Sequence, residues 1–259
     1  MSILDWLKLP EKRTVLDEDD PATTVLHARI IRNKPFLKML YTDFYLQMKS
    51  SVAVDVRKGL LVELGSGGGF IKEIIPGVVT SDVLDLPEVD KRFSVLDMPF
   101  DNGVIDAFFM LDVFHHVKDS YGFLKEMDRC LKAAGRIVMI EPANTLWGRF
   151  IQKWIHREDF DPDGGWGFEE GGPLSGANAA LPWIVFRRDR ERFEKEFPGL
   201  RVRRFVNHNP LRYILSGGVS FIQVVPTFSY SMIKALEAAL TPINDYIGIF
   251  STIELVKVG

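Results

Sequence analysis

Cysteine is almost missing from this chain of 259 residues: Cys130 is the only one. No internal disulfide can form, and no cysteine cluster can hold a metal. Histidine is scarce as well, and the five present form no compact ligand motif, so no metal is expected. Charge of either sign is not in large excess. The formal balance of -3, from 35 acidic and 32 basic side chains, gives no bulk attraction to nucleic acid. No apolar run reaches the roughly 18 residues of a membrane-spanning helix. The N-terminus, with Asp5, Trp6 and Pro10, lacks the basic and apolar regions of a secretory signal. Internal repeats and low-complexity segments are absent. The expectation is a cytoplasmic protein, with contact at a membrane surface left open.

What is present is enough apolar material for a substantial core, at 46% of residues. Thr23 to Val54 shows apolar groups at helical spacing, divided by Pro35 into two helices. Residues 1–58 therefore read as an arm and a helical cap. Apolar strands then alternate with helices: Leu60–Leu64, Val78–Asp82, Phe93–Leu96, Val104–Leu111 and Arg136–Ile140. Asp119 and Ser120 are positioned to cap the helix before the last of these. This pattern predicts a parallel α/β sheet covered on both faces. After Pro142 it changes. An aromatic helix, a glycine-rich loop from Phe160 to Leu181 and a further helix precede two late strands, Leu200–Val206 and Ile249–Val258. Residues 59–259 read as one domain, with 142–200 as an insertion suited to an acceptor.

The stretch L-L-V-E-L-G-S-G-G-G-F, Leu60 to Phe70, carries the chemistry. A strand turns over glycines into a helix, and the following amides face a polar ligand. Its register departs from the dinucleotide fingerprint, because Phe70 stands where G-x-G-x-x-G needs its last glycine. No G-K-[ST] follows, which excludes the phosphate loop of nucleotide hydrolases. Read from Glu63, the stretch is acid-x-G-x-G-x-G, and this resembles the first motif of class I, seven-stranded S-adenosylmethionine-dependent methyltransferases. Asp82 at the second strand end, L-D-M-P-F from Leu96, the run Asp101 to Val117 and L-K-x-x-G-R-I-V-M-I-E from Leu131 resemble the type 11, small-molecule branch. The resemblance covers about residues 60–141. It implies a Rossmann-like α/β fold and S-adenosyl-L-methionine as cofactor. It implies a cofactor set of Glu63, Gly65, Ser66, Gly67, Gly69, Asp82, Val83, Asp97, Met98 and Asp112. Asp82 would take the ribose hydroxyls, and Asp97 and Met98 the adenine.

Methyl transfer to a hydroxyl calls for a base. His115 and His116 follow the fourth strand, where open α/β sheets face their ligands. Glu141 and Asn144 follow the fifth. These four are the catalytic candidates, with a structural role for each left open. His156 is a further candidate on the aromatic helix. Trp147, Trp154, Trp166 and Phe168 either line an acceptor pocket or form a cluster under the long connection. Arg187, Arg188, Arg190 and Arg192 alternate with acids and read as a solvated, ion-paired face. G-P-L-S-G-A-N and L-P-W-I-V-F, within Gly172 to Phe186, look like pieces of methyltransferases of bacterial surface-saccharide assembly. The expected partner is therefore a small-molecule or saccharide acceptor, with a lipid-linked one and a homodimer left open. A non-catalytic, cofactor-binding regulator on the same fold is the alternative.

Overall fold

The computed structural model describes residues 6–13, 17–52, 59–156, 158–169 and 171–258. Seven strands form one sheet: β1 (Leu61–Leu64), β2 (Val79–Asp82), β3 (Lys91–Arg92), β4 (Ile105–Leu111), β5 (Leu131–Pro142), β6 (Leu200–His208) and β7 (Phe250–Lys257). Their order is β3-β2-β1-β4-β5-β7-β6. β1 to β5 run parallel, whereas β7 lies antiparallel between β5 and β6. The five strands that alternate with helices thus run parallel as expected, and the two late strands make the complete sheet a mixed one. β7 is buried on both faces from Phe250 to Leu255, and two-sided burial leaves no directional signal in a sequence.

The third strand is also shorter and earlier than Phe93–Leu96. Phe93 makes the last bond to β2, donating to the Asp82 carbonyl at 3.1 Å. The Ser94 hydroxyl then accepts from Leu96 N at 3.2 Å, and its carbonyl from Asp97 N at 3.0 Å. Serine therefore begins a turn where a strand was expected.

The principal helices are α1 (Pro21–Asn33), α2 (Pro35–Ser51), α3 (Ser120–Cys130), α4 (Leu146–Ile151), α5 (Leu181–Trp183), α6 (Arg190–Glu196), α7 (Arg212–Ser216), α8 (Tyr230–Ala239) and α9 (Asn244–Ile247). Asp20, Asp119 and Thr145 cap α1, α3 and α4 with their side chains. Strand residues alternate between two cores. Val62, Phe108, Met110, Ile137 and Met139 meet α3 and the 181–197 helices on one face. Leu61, Ala107, Phe109, Val138 and Ile140 meet α2 on the other.

Phe36, Leu37, Leu40, Phe44 and Met48 of α2 are all buried at helical spacing. Truncating any one costs about 2–5 kcal/mol. At that magnitude α2 is part of the sheet's core, although it also reaches the cavity described below. The N-terminal arm before Trp6 and the boundary near residue 58 lie outside the described residues. Trp166 and Phe168 pack in the first core, and Trp166 Nε1 donates to Asp189 at 2.9 Å. They pin the long connection down, as a cluster and not as a pocket wall. Arg188 and Arg190 pair with Asp189 and Glu194, as the charge pattern expects.

Candidate active site

A cavity of about 820 Å³ opens at the carboxyl ends of β1, β2 and β4. This is where the strand order reverses, the usual ligand crevice of an open α/β sheet. Its floor is the glycine turn. Gly65 and Gly67 have φ of 62° and 46°, the left-handed region. A Cβ on Gly65 would stand 2.7 Å from the Val113 methyls, and one on Gly69 2.3 Å from the Tyr45 hydroxyl. A Cβ on Gly68 would stand 2.7 Å from the Ala28 amide nitrogen of α1, so the turn and α1 pack closely there. The turn is tied to β2: Ser66 N donates to the Ser81 carbonyl at 2.8 Å, and Gly67 N to Asp82 Oδ2 at 2.9 Å. Asp82 Oδ1 accepts from Leu84 N at 2.9 Å. Each Asp82 oxygen keeps a further lone pair for a ligand hydroxyl.

Glu63 is buried beneath this turn and lines the cavity. Its Oε2 has no hydrogen-bond partner. Burial, reinforced by the Asp82 charge, pushes its carboxyl up to about 8. A buried carboxyl that keeps one oxygen unbonded at the base of a glycine cradle fits a ligand that brings a positive charge. Val83 and Asp112 line the same cavity, with Asp112 held at a φ of 64°. Strain of this kind concentrates at ligand sites.

Two expected cofactor residues are not brought to the wall. Asp97 is exposed, and Met98 is buried in the core with its amide donating to Glu126. The turn at Ser94 is the reason: it presents Ser94, Val95 and Leu96 to the cavity and carries Asp97 past it.

The catalytic candidates separate in the same way. Glu141 is fully buried at the end of β5. Its Oε1 accepts from Val113 N at 3.0 Å and Phe114 N at 2.7 Å, and its Oε2 from His115 Nδ1 at 2.8 Å. His115 Nε2 lies 3.4 Å from Glu158 Oε2. Burial disfavours the charged ring, but Glu141 and Glu158 outweigh it and raise the His115 pKa well above its ordinary value. His115 and Glu141 thus form a buried ion pair behind the cavity wall. Asn144 binds Arg149 Nε through Oδ1 at 2.6 Å, and it too is away from the cavity. The side chain of His156 lies outside the described residues.

His116 alone of these candidates lines the cavity. Its Nδ1 bonds the Gly176 carbonyl at 2.9 Å. A carbonyl only accepts, so Nδ1 carries the proton and Nε2 keeps the lone pair. Burial and the adjacent His115 charge push the His116 pKa down to about 4.

The segment G-P-L-S-G-A-N closes the site. Besides the Gly176 bond, Asn178 N donates to the His115 carbonyl at 2.9 Å. From the N-terminal side, Asp19 Oδ1 accepts from Leu174 N at 2.7 Å and Ser175 N at 3.0 Å. Tyr41 and Tyr213 complete the wall, and burial raises both phenols far enough to keep them protonated donors. The segment was singled out in the sequence, whereas the contributions of Glu158, Tyr41 and Tyr213 were missed. They come from distant stretches without a local motif.

Residues 62–139 match the family described as a methyltransferase domain. That stretch, which holds the glycine turn, Asp82 and most of β4 and β5, is a methyltransferase domain. No curated protein matches it. Among solved structures it is similar to a chain of the Haloferax volcanii complex between the Trm112 methyltransferase activator and a methyltransferase. That match has 13% identity and a TM-score of 0.51, covering 95% of this chain and 99% of that one. It is similar to the Thermotoga maritima possible histamine N-methyltransferase at 16% identity and TM-score 0.50, covering 90% and 98%. A geranyl diphosphate C-methyltransferase from Streptomyces coelicolor A3(2), solved with S-adenosyl-L-homocysteine, aligns at 16% identity and TM-score 0.45, covering 93% and 86%. At these identities the first two matches, with TM-scores of 0.51 and 0.50, speak to the fold alone.

For this methyltransferase, the Glu63 carboxyl predicts proton-linked cofactor binding. Near neutral pH it is mostly protonated, because its pKa is pushed up to about 8. A cation brought beside it favours the carboxylate, so binding releases a fraction of a proton. Calorimetry of S-adenosylmethionine in two buffers of different ionisation enthalpy checks this. The apparent enthalpies differ for the wild type and coincide for Glu63→Gln.

Proposed function

We propose that this methyltransferase methylates a hydroxyl oxygen of a polar small molecule, and that the acceptor is a saccharide of surface-polysaccharide assembly, free or lipid-linked. The observation that carries the reading is His116, a neutral ring on the cavity wall whose proton is fixed on Nδ1 by Gly176. S-adenosylmethionine, when bound, supplies a methyl group made electrophilic by its sulfonium. The turn residues Gly65, Ser66, Gly67 and Gly69 cradle it. Glu63 neutralises its positive end, Asp82 takes the ribose hydroxyls, and Val83 packs beside them. Ser94 to Leu96 flank the adenine in place of Asp97 and Met98. Asp112 holds the end of β4 against the methionine portion.

On the acceptor side, Tyr41 and Tyr213 donate hydrogen bonds, and the carboxylates of Glu158 and Asp159 accept from neighbouring hydroxyls. His116 Nε2 takes the acceptor proton as the oxygen lone pair forms the new bond to carbon. The carbon–sulfur bond breaks with its electron pair left on sulfur, and the proton stays on His116 until release. The closed wall of residues 172–178 keeps water from competing, and holding the two reactants together supplies much of the acceleration. His115, Glu141 and Asn144 act on this picture by holding the loop, not by touching the reactants.

The reading is tested by incubating enzyme and S-adenosylmethionine with a panel of hydroxylated saccharides, free and lipid-linked, and with primary and secondary amines. Mass spectrometry should find one added methyl, as an ether, on a saccharide. Transfer to the amines alone would reject it.

A further inference from the structure

The largest exposed apolar side chains are not scattered over this molecule. Leu146 and Phe150 on α4, and Trp154 in the turn that continues it, recur every fourth residue along one stripe and stand exposed. Phe228, Met232, Leu236, Ile243 and Tyr246 form a second exposed row on and around α8 and α9. Phe228 is 87% exposed, Leu146 71% and Met232 69%. The two rows belong to touching elements, since α9 packs against α4 and the 241–243 turn joins it to α8. Scattered apolar residues need no account, whereas a concentration of this size marks an interaction face.

Charge indicates what the face meets. Arg149 and Lys153 are exposed among the first row, and Lys153 Nζ sits 5.3 Å over the Trp154 ring. Lys234 is exposed on α8, where it also pairs with Asp43. Across residues 146–156 and 230–247, Asp245 is the one exposed carboxylate, because Glu237 is buried against Arg212. With Lys234 paired to Asp43, Arg149 and Lys153 against Asp245 leave the face with a small positive excess on a chain whose net charge is -3. Tryptophan and tyrosine with lysine and arginine around an aliphatic surface suit the headgroup level of a bilayer. No described helix is long and apolar enough to cross a membrane, so the contact is one of surface.

Position adds a functional sense. α4 leaves the end of β5 at Pro142, and α9 leads into β7 at Phe250, which pairs with Pro142. This is the end of the sheet that carries the cavity. α7, which brings Tyr213 to the cavity wall, packs on α8. A second protein copy seated here would crowd that end, whereas a lipid surface would present an acceptor to it.

We infer that this face docks the enzyme on an anionic lipid bilayer, with Phe150, Trp154, Phe228, Met232 and Tyr246 entering the headgroup region and Arg149 and Lys153 meeting lipid phosphates. The inference stands apart from the saccharide reading, because docking is measured without turnover. The test is flotation of the full-length protein with vesicles of phosphatidylcholine containing phosphatidylglycerol, and with vesicles of phosphatidylcholine alone, at low and high salt. The expected result is recovery with the anionic vesicles, lowered by salt. Trp154→Ser combined with Phe228→Ser should lower that recovery about tenfold, an effect that removal of two interfacial aromatics predicts. Lys153→Glu is the second variant, too exposed to disturb folding, and should lower recovery with the anionic vesicles selectively. No recovery of the wild type with either vesicle overturns the inference, as does recovery unchanged in both variants. A wild-type dimer in sedimentation velocity that the double variant breaks, without vesicle binding, assigns the face to a second copy instead.

Discussion

Replacing His116 with glutamine lowers kcat by about 10²–10⁴-fold, the range of a lost general base, while S-adenosylmethionine affinity stays within about twofold. The separation follows from position. His116 lines the cavity, and its ring Nδ1 bonds the Gly176 carbonyl and not the glycine turn or Asp82. Glutamine can keep that bond through its amide, so the 172–178 segment stays closed while the basic lone pair is lost. The pH profile is the sharper check. A base works when it is unprotonated, and the His116 pKa lies at about 4, so the group is competent across neutral pH. Its activity declines only as the solution is acidified toward that value. The wild type should show this acid limb in kcat/KM and the variant should not. Equal losses in turnover and cofactor affinity would instead make His116 a part of the cofactor site.

How far this site could be read from the chain depends on how local each feature is. The turn from Glu63 to Gly69 is contiguous, and each glycine answers a steric demand that is visible in its neighbours. Its register excluded dinucleotide and nucleotide-hydrolase folds before any coordinates. Asp82 lines the cavity because a strand end fixes where its side chain stands. Asp97 does not line it, because Ser94 starts a turn three residues earlier and the wall is formed by residues 93–96. The His-His pair was visible but its division of labour was not. That division depends on Glu141 from β5 and on Gly176 from the insertion, contacts 26 and 60 residues away along the chain. The direction of β7 was equally hidden, since a strand buried on both faces reads the same either way. The five histidines read as forming no compact ligand motif, and that reading considered the sequence alone. It missed that folding brings Glu158 to within 3.4 Å of His115.

The insertion and the N-terminal helices act together on the reaction through these distant contacts. Asp19 fixes Leu174 and Ser175, Gly176 fixes His116, and Asn178 fixes the backbone of His115. Neither partner alone determines where the His116 ring stands. On the proposed reading, the segment beside the acceptor also sets the tautomer of His116, so substitutions in residues 172–178 are expected to alter turnover along with affinity.

Glu141→Gln is expected to destabilise the fold by about 3–5 kcal/mol, the cost of breaking one partner out of a buried ion pair. Glu141 makes three bonds with no exposure: two to the amides of Val113 and Phe114, and one to His115 Nδ1. The amide oxygen of glutamine can keep the first two. Its NH₂ group then faces the Nδ1 proton of His115, donor against donor, and the ring loses its nearest counter-charge. The pH dependence has a defined sign. The His115 pKa is raised on folding, so its contribution to stability is complete below the unfolded value of 6.5 and is lost as pH rises through the folded one. The deficit of the variant should accordingly be largest below the unfolded value of 6.5 and shrink as the pH rises through the raised value of the folded wild type, where its ring also sheds its proton. Urea denaturation of both proteins across that interval measures it. A deficit under about 1 kcal/mol, or one that grows with pH, would mean that the pair carries little of the fold and that the amides of Val113 and Phe114 are what Glu141 holds.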